Sequence, residues 1–217
     1  MDHQKDAVEF GLNNPKWLLL DAPGLGKTFA LIKLAEELKR TQGIKHCLIV
    51  CGINTLKANW KKEIAKFSDL DSIIIGEHIS SSGRVYAKSV ADRINQLKNP
   101  IKEFFVIINV ETLRDDNIIK AINKGKNSFD MIVVDEIHTM KSPNSAQGSN
   151  LLKLKSTYQV GATGTLLLND PLDTYMPLKW IGAEKSSFSK FKYYYCEYGG
   201  PFNNVLVGFK NTTQLKD

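Results

Sequence analysis

Apolar residues in this chain fall in short runs, separated by longer stretches in which they recur at helical spacing. The runs at 17–20, 46–51, 72–75, 104–109, 131–134 and 158–161 each predict a strand. The stretches between them predict helices over 29–40, 56–67, 85–97, 111–123, 147–154 and 170–181. In the first of these, Leu31, Leu34, Ala35 and Leu38 share one face. The pair Asn99-Pro100 stops the helix over 85–97, and Pro171 sits in the first turn of the last one. Strands that alternate with helices imply βαβ units, so the fold class is α/β, a mostly parallel sheet with helices on both faces. Strands buried on both sides should be continuously apolar, and Leu18-Leu19-Leu20, Val106-Ile107-Ile108 and Ile132-Val133-Val134 are. The stretch 76–83, with three serines in a row, predicts a mobile surface loop. From 188 to 209 the chain is rich in aromatics, and Gly199-Gly200-Pro201 marks a turn, so an irregular or hairpin appendage is expected there.

Composition adds bounds to this picture. A chain of 217 residues, 42% hydrophobic and 24% charged, fits one globular domain with a small appendage, divided here as 1–185 and 186–217. The net charge of +6 favours an anionic partner, nucleic acid being the commonest, although many soluble domains are mildly basic. Cys47, Cys51 and Cys196 are too few and too unevenly placed for a disulfide framework. Cys47 and Cys51 flank Leu48-Ile49-Val50 and read as core residues. There is no secretory signal, and no apolar run approaches the ~20 residues that span a bilayer, so an intracellular, cytoplasmic protein with no membrane partner is expected.

The strongest motif is Asp21-Ala22-Pro23-Gly24-Leu25-Gly26-Lys27-Thr28, between a predicted strand and a predicted helix. Gly24 and Gly26 let backbone N–H groups close around phosphate oxygens, with Pro23 and Leu25 completing the loop. The helix beginning near Lys27 points its positive end at the same anion. Lys27 should reach the β- and γ-phosphates of ATP, and the Thr28 hydroxyl should ligate Mg²⁺. The strict pattern opens with Gly where this chain has Asp21.

The second motif is Ile132-Val133-Val134-Asp135-Glu136-Ile137-His138. A buried strand that ends in two carboxylates places them at the carboxyl edge of a parallel sheet, where α/β proteins hold ligands. Asp135 would hold Mg²⁺ and Glu136 would orient and deprotonate the attacking water.

With these motifs in order, the chain resembles the first RecA-like lobe of SWI/SNF-related helicase-like ATPases of superfamily two. An acidic residue at the opening of the phosphate loop, as at Asp21, fits that superfamily. His3-Gln4 resembles the adenine-side segment, in which Gln4 would read the base. The series Asn54-Thr55-Leu56 and Asn59-Trp60-Lys61-Lys62-Glu63 resembles the segment after the phosphate-loop helix. Asn109-Val110-Glu111-Thr112-Leu113-Arg114 is similar to the next block. Asp135-Glu136-Ile137-His138 with Met140-Lys141-Ser142 matches the acidic box, and Gly161-Ala162-Thr163-Gly164-Thr165 the Thr-Gly-Thr motif. Val207-Gly208-Phe209-Lys210-Asn211 looks like the closing segment. Ala22-Pro23 and Leu166 depart from the usual residues, which sets the chain in a divergent branch.

The resemblance implies further roles. His138, Thr163 and Thr165 would couple the nucleotide site to the rest of the domain. Asn54, Thr55, Lys57, Thr112, Arg114 and Lys141 would touch a nucleic-acid backbone, DNA ahead of RNA, without reading sequence. Trp60 reads as core packing, and Lys120, Lys124 and Lys126 as a solvated helix end. The family's arginine fingers come from a second RecA-like lobe. The four arginines here, Arg40, Arg84, Arg93 and Arg114, lie in no block that resembles it, so a second lobe is expected from a longer protein or a partner chain. Two other classes stay open: a phosphate-loop enzyme such as a small-molecule kinase, and a non-catalytic nucleic-acid-binding module.

Overall fold

The computed structural model describes residues 1–52, 54–80, 84–164, 170–202 and 205–215. Strands β1 (Lys16–Leu19), β2 (His46–Cys51) and β3 (Ser72–Ile74) are followed by an antiparallel hairpin of β4 (Glu77–Ile79) and β5 (Val85–Ala87). After it come β6 (Phe105–Asn109), β7 (Phe129–Asp135) and β8 (Tyr158–Ala162), and then a second hairpin, β9 (Cys196–Gly199) with β10 (Val205–Phe209). The six strands outside the hairpins form one sheet, ordered β1-β8-β7-β2-β6-β3, and every neighbouring pair is parallel. The helices are α1 (Asp2–Asn13), α2 (Lys27–Gln42), α3 (Asn54–Phe67), α4 (Val90–Lys98), α5 (Asp116–Lys124), α6 (Ala146–Leu151), α7 (Tyr175–Ile181) and α8 (Phe188–Tyr195).

Alternation along the central strands builds two cores from one sheet. Cys47, Ile49 and Cys51 of β2 pack with Ala30, Leu31, Leu34, Leu38, Trp60 and Ile64 from α2 and α3. Leu48 and Val50 face the other way, toward Leu97, Ile118, Ile122 and Leu151 from α4, α5 and α6. Strand side chains point to opposite faces at a period of two, so a sheet covered on both sides needs every position apolar. Both strand cysteines are buried thiols, and burial pushes Cys51 up to about 12, which keeps it protonated and unreactive.

Helices α1 and α2 pack on each other, and Phe10 meets Trp17 edge-on with centroids 5.2 Å apart. Gly161 lets β8 lie close to its neighbours. A Cβ there would sit 2.7 Å from Ile137 Cδ1 and from Leu18 Cδ2. Gly161→Ala is therefore expected to destabilise the domain by about 1–3 kcal/mol through overpacking, seen as a lower Tm. An unchanged Tm would mean that the neighbours yield freely.

Several elements differ from the expectations. The helix expected over 85–97 starts at Val90, because residues 85–87 pair with 77–79 and Ser89 caps the helix in a capping box with Asp92. The segment expected as a loop over 76–83 supplies β4, and 81–83 lie outside the described residues. The helix over 111–123 divides into a 3₁₀ turn (Val110–Arg114) and α5, with Asp115 as the cap between them. The helix over 170–181 likewise opens with a 3₁₀ turn (Pro171–Thr174). The aromatic stretch holds a helix as well as a hairpin. Its Phe191 and Tyr195 pack with Tyr175 and Met176 in a small third cluster.

Candidate active site

Three adjacent strands, β1, β8 and β7, end at one level. Leu19 and Asp135 are both in register with Ala162, and the Thr163 N–H donates to the Leu19 carbonyl at 3.0 Å. The phosphate loop, the acidic box and the Thr-Gly block thus leave the sheet side by side at its carboxyl edge. Pro23 seals this arrangement, since a Cβ on Gly164 would lie 2.7 Å from its Cδ.

In the loop, Gly24 and Gly26 hold φ of +84° and +79°, which side-chain-bearing residues rarely adopt. At Gly26 a Cβ would also collide with the Gln4 amide. Helix α2 begins directly at Lys27, so its first N–H groups line the loop. The Lys27 Nζ donates to the carbonyls of Asp21 at 2.8 Å and Ala22 at 3.3 Å. Gln4 Nε2 and His3 Nε2 both lie within hydrogen-bond distance of the Leu25 carbonyl, at 3.1 and 2.9 Å, which docks α1 onto the loop. The Gln4 amide thus braces the loop.

Asp135 sits at the end of β7 with both oxygens engaged. Oδ1 accepts the Glu136 N–H at 3.1 Å and Oδ2 accepts the Trp60 indole N–H at 2.9 Å. Burial raises its pKa, the Trp60 hydrogen bond lowers it and the neighbouring Glu136 charge raises it. A carboxyl with a raised folded pKa is most stabilising when protonated. As pH climbs past the unfolded value near 4 the unfolded chain loses its proton first, so stability falls until the folded pKa is passed. Asp135→Asn is therefore expected to gain Tm relative to the parent as pH rises from about 4 through the folded pKa of Asp135, although Asn keeps only one acceptor. Parallel melting curves of the two proteins across that range would refute this.

Glu136 has φ of +51°, a left-handed conformation that is uncommon for a side-chain-bearing residue and concentrates at functional sites. Its carboxylate is held by a relay. Thr163 Oγ1 donates to Glu136 Oε2 at 3.1 Å, and His138 Nδ1 lies 2.7 Å from Thr163 Oγ1 and 3.1 Å from Glu136 Oε2. With the Thr163 hydroxyl donating to the carboxylate, the network assigns the proton on His138 to Nδ1. Thr165 lies outside the described residues.

A cleft of about 580 Å³ gathers Gln4, Gly24, Lys27, Thr28, Asp135 and Glu136. Asn59, Glu63 and Phe67 of α3 and Phe29 of α2 line it too. Among the described residues no group of three His, Cys, Asp or Glu could enclose a metal ion by itself. A hydroxyl and carboxylates in a phosphate-sized cleft fit Mg²⁺ all the same, because that ion takes one or two carboxylates and completes its shell with phosphates and water.

The expected nucleic-acid positions divide. Asn54 and Thr55 open α3, and Thr55 is exposed. Arg114 and Lys141 are exposed too, paired with Glu111 and Asp173 at 2.9 Å each. Lys57, by contrast, is buried with its ammonium 2.8 Å from Glu77, and the buried Thr112 hydroxyl donates to Asn109 Oδ1 at 2.5 Å. The last two are turned inward, since each side chain finds its polar partner inside the fold. Trp60 was expected as core and is buried, yet its N–H reaches the acidic box. No local signal distinguishes such an indole from a packing one.

Fold and site together define a nucleotide-binding domain of the RecA-like phosphate-loop class. The model of the SNF2-related domain matches residues 3–215, and the chain belongs to that family. It is 28% identical over 159 residues to an ATP-dependent helicase of Mycoplasma genitalium, covering 73% of this chain and 14% of the relative. It is 31% identical over 193 residues to the DNA repair and recombination protein RDH54 of Saccharomyces cerevisiae, covering 81% of this chain and 20% of the relative. The structure of the Sulfolobus solfataricus SWI2/SNF2 ATPase core in complex with dsDNA superposes with a TM-score of 0.69 at 22% identity, over 89% of this chain and 37% of that one. The chain therefore spans a fifth or less of these curated relatives.

Proposed function

We propose that this chain is the ATP-binding lobe of an intracellular, nucleic-acid-dependent ATPase, a DNA translocase whose hydrolysis is completed by a second RecA-like lobe. The observation that carries the reading is the Glu136–Thr163–His138 relay beside the phosphate loop. A general base needs a fixed orientation, and here a carboxylate is clamped next to the loop and the metal carboxylate. Lys27 and the start of α2 would take the phosphates, and Thr28 and Asp135 the Mg²⁺. Bound Mg²⁺ would neutralise phosphate charge. Glu136 would orient a water in line with the γ-phosphate and take its proton. The exposed positions Thr55, Arg114 and Lys141 suit contact with a DNA backbone, and the dsDNA held by the archaeal SWI2/SNF2 core supports DNA over RNA. The relay and the family also argue against a small-molecule kinase. Among the described residues no helix is long and apolar enough to cross a membrane.

The 217-residue chain alone is expected to bind Mg-ATP and release phosphate very slowly, with little stimulation by double-stranded DNA. An arginine finger is worth ~10³–10⁵ in rate, and none of the four arginines lines the cleft. Closure of two lobes on nucleic acid also has no counterpart in one lobe. A steady-state phosphate-release assay tests this. Robust turnover that DNA stimulates several-fold would overturn the half-site reading.

A further inference from the structure

Helix α3 reaches the acidic box by a buried side chain that the chemistry above does not use. Trp60 lies on its buried face at 2% exposure, and its Nε1–H donates to Asp135 Oδ2 at 2.9 Å. The other donor to Asp135, the Glu136 N–H, belongs to the same backbone segment and moves with it. Trp60 is thus the donor that ties this carboxylate to a different element. The helix is itself fixed one turn earlier, on the neighbouring part of the same face, by the pair of buried Lys57 with Glu77. The indoles of Trp17 and Trp180 do nothing comparable: Trp180 bonds the Leu154 carbonyl, and Trp17 Nε1 has no partner.

We infer that Trp60 is a positioning residue for the metal carboxylate, holding Asp135 in the orientation from which its open lone pairs meet a divalent cation. This rests on the Mg-nucleotide reading of the cleft. An indole N–H is a donor only, so it turns Oδ2 toward α3 and fixes the carboxylate plane, which a free side chain would sample by rotation. The first turn of α3 carries exposed Thr55, so the same helix links the proposed DNA side of the domain to the metal side.

The test compares the chain with Trp60→Phe, which keeps an aromatic ring and removes the donor. ADP affinity is measured by calorimetry with Mg²⁺ and with EDTA, and the three indole N–H resonances are followed by ¹H–¹⁵N spectroscopy. Orientation of a metal ligand by its hydrogen-bond partner predicts that Trp60→Phe weakens the Mg²⁺-dependent part of binding by about tenfold. ADP binding in EDTA should stay within about twofold, and adding Trp60→Phe to Asp135→Asn should change nothing further, because the pair acts as a unit. In the unaltered protein the Trp60 indole resonance should shift on Mg²⁺-ADP and not on ADP in EDTA. That measurement stands even if the variant folds poorly. Equal loss of affinity with and without metal, or a Trp60 resonance indifferent to Mg²⁺, would overturn the positioning role and leave the nucleotide site intact. No ADP binding by the unaltered chain would overturn the nucleotide reading itself.

Discussion

Lys27→Ala is expected to lower Mg-ADP and Mg-ATP affinity by about 100-fold or more. The ammonium faces the loop in which the phosphates would lie, at the first position of α2. Charge-assisted hydrogen bonds are worth roughly 1.5–3 kcal/mol each, and loss of two corresponds to at least that factor. The fold should survive. Lys27 is only partly buried, its partners are two loop carbonyls that water can serve, and Ala is a good helix former. Calorimetric titration with both nucleotides, alongside a melting curve, separates loss of binding from loss of structure. Affinity within a few-fold of the parent would remove Lys27 from the site, and with it the central assignment.

Glu136→Gln is expected to separate binding from chemistry. In the proposed two-lobed enzyme, phosphate release should fall by about 10²–10⁴-fold, the usual contribution of a general base. Nucleotide affinity should hold within a few-fold, since Gln matches Glu in shape and retains an oxygen to accept the Thr163 hydroxyl. The left-handed backbone at this position is a constraint of the turn after β7, and Gln inherits it unchanged. Thr163→Val should give a milder version of the same loss, because it removes the hydroxyl that donates to the carboxylate and leaves the direct His138 contact in place. Single-turnover measurements at saturating ATP report the chemical step directly. Normal hydrolysis by the Gln variant would assign the base elsewhere.

Much of this was legible along the chain, and for physical reasons. Parallel strands covered on both faces must be apolar at every position, so β2, β6 and β7 announce themselves as runs. A phosphate loop needs glycine at left-handed φ followed at once by a helix, and Gly24, Gly26 and Lys27 write that requirement into a few adjacent residues. The acidic box is equally local, being the residues where a buried strand meets solvent. Short hairpins are less legible. Residues 85–87 are exposed and carry no face of their own, and only pairing with 77–79 makes them a strand. The cap that opens α4, Ser89 with Asp92, was a readable signal that the helical spacing over 85–97 obscured.

What the sequence by itself determined is the set of local devices: the sheet's strands, the glycine loop with its lysine, the paired carboxylates, and the order of blocks that marks the SNF2-related domain. Tertiary structure decided which distant side chains meet. Lys57 and Thr112 sit in segments expected to face DNA, yet each is drawn inward by a partner, Glu77 or Asn109, that packing supplies. Gln4 lies 21 residues from Leu25 and meets its carbonyl because α1 packs on α2. Trp60 and Asp135 stand 75 residues apart, and no periodicity links them. They touch because β2 and β7 are neighbours in the sheet and α3 folds back over the face they share. A hydrogen bond needs two groups within about 3 Å, and only the strand order of the finished sheet sets that distance.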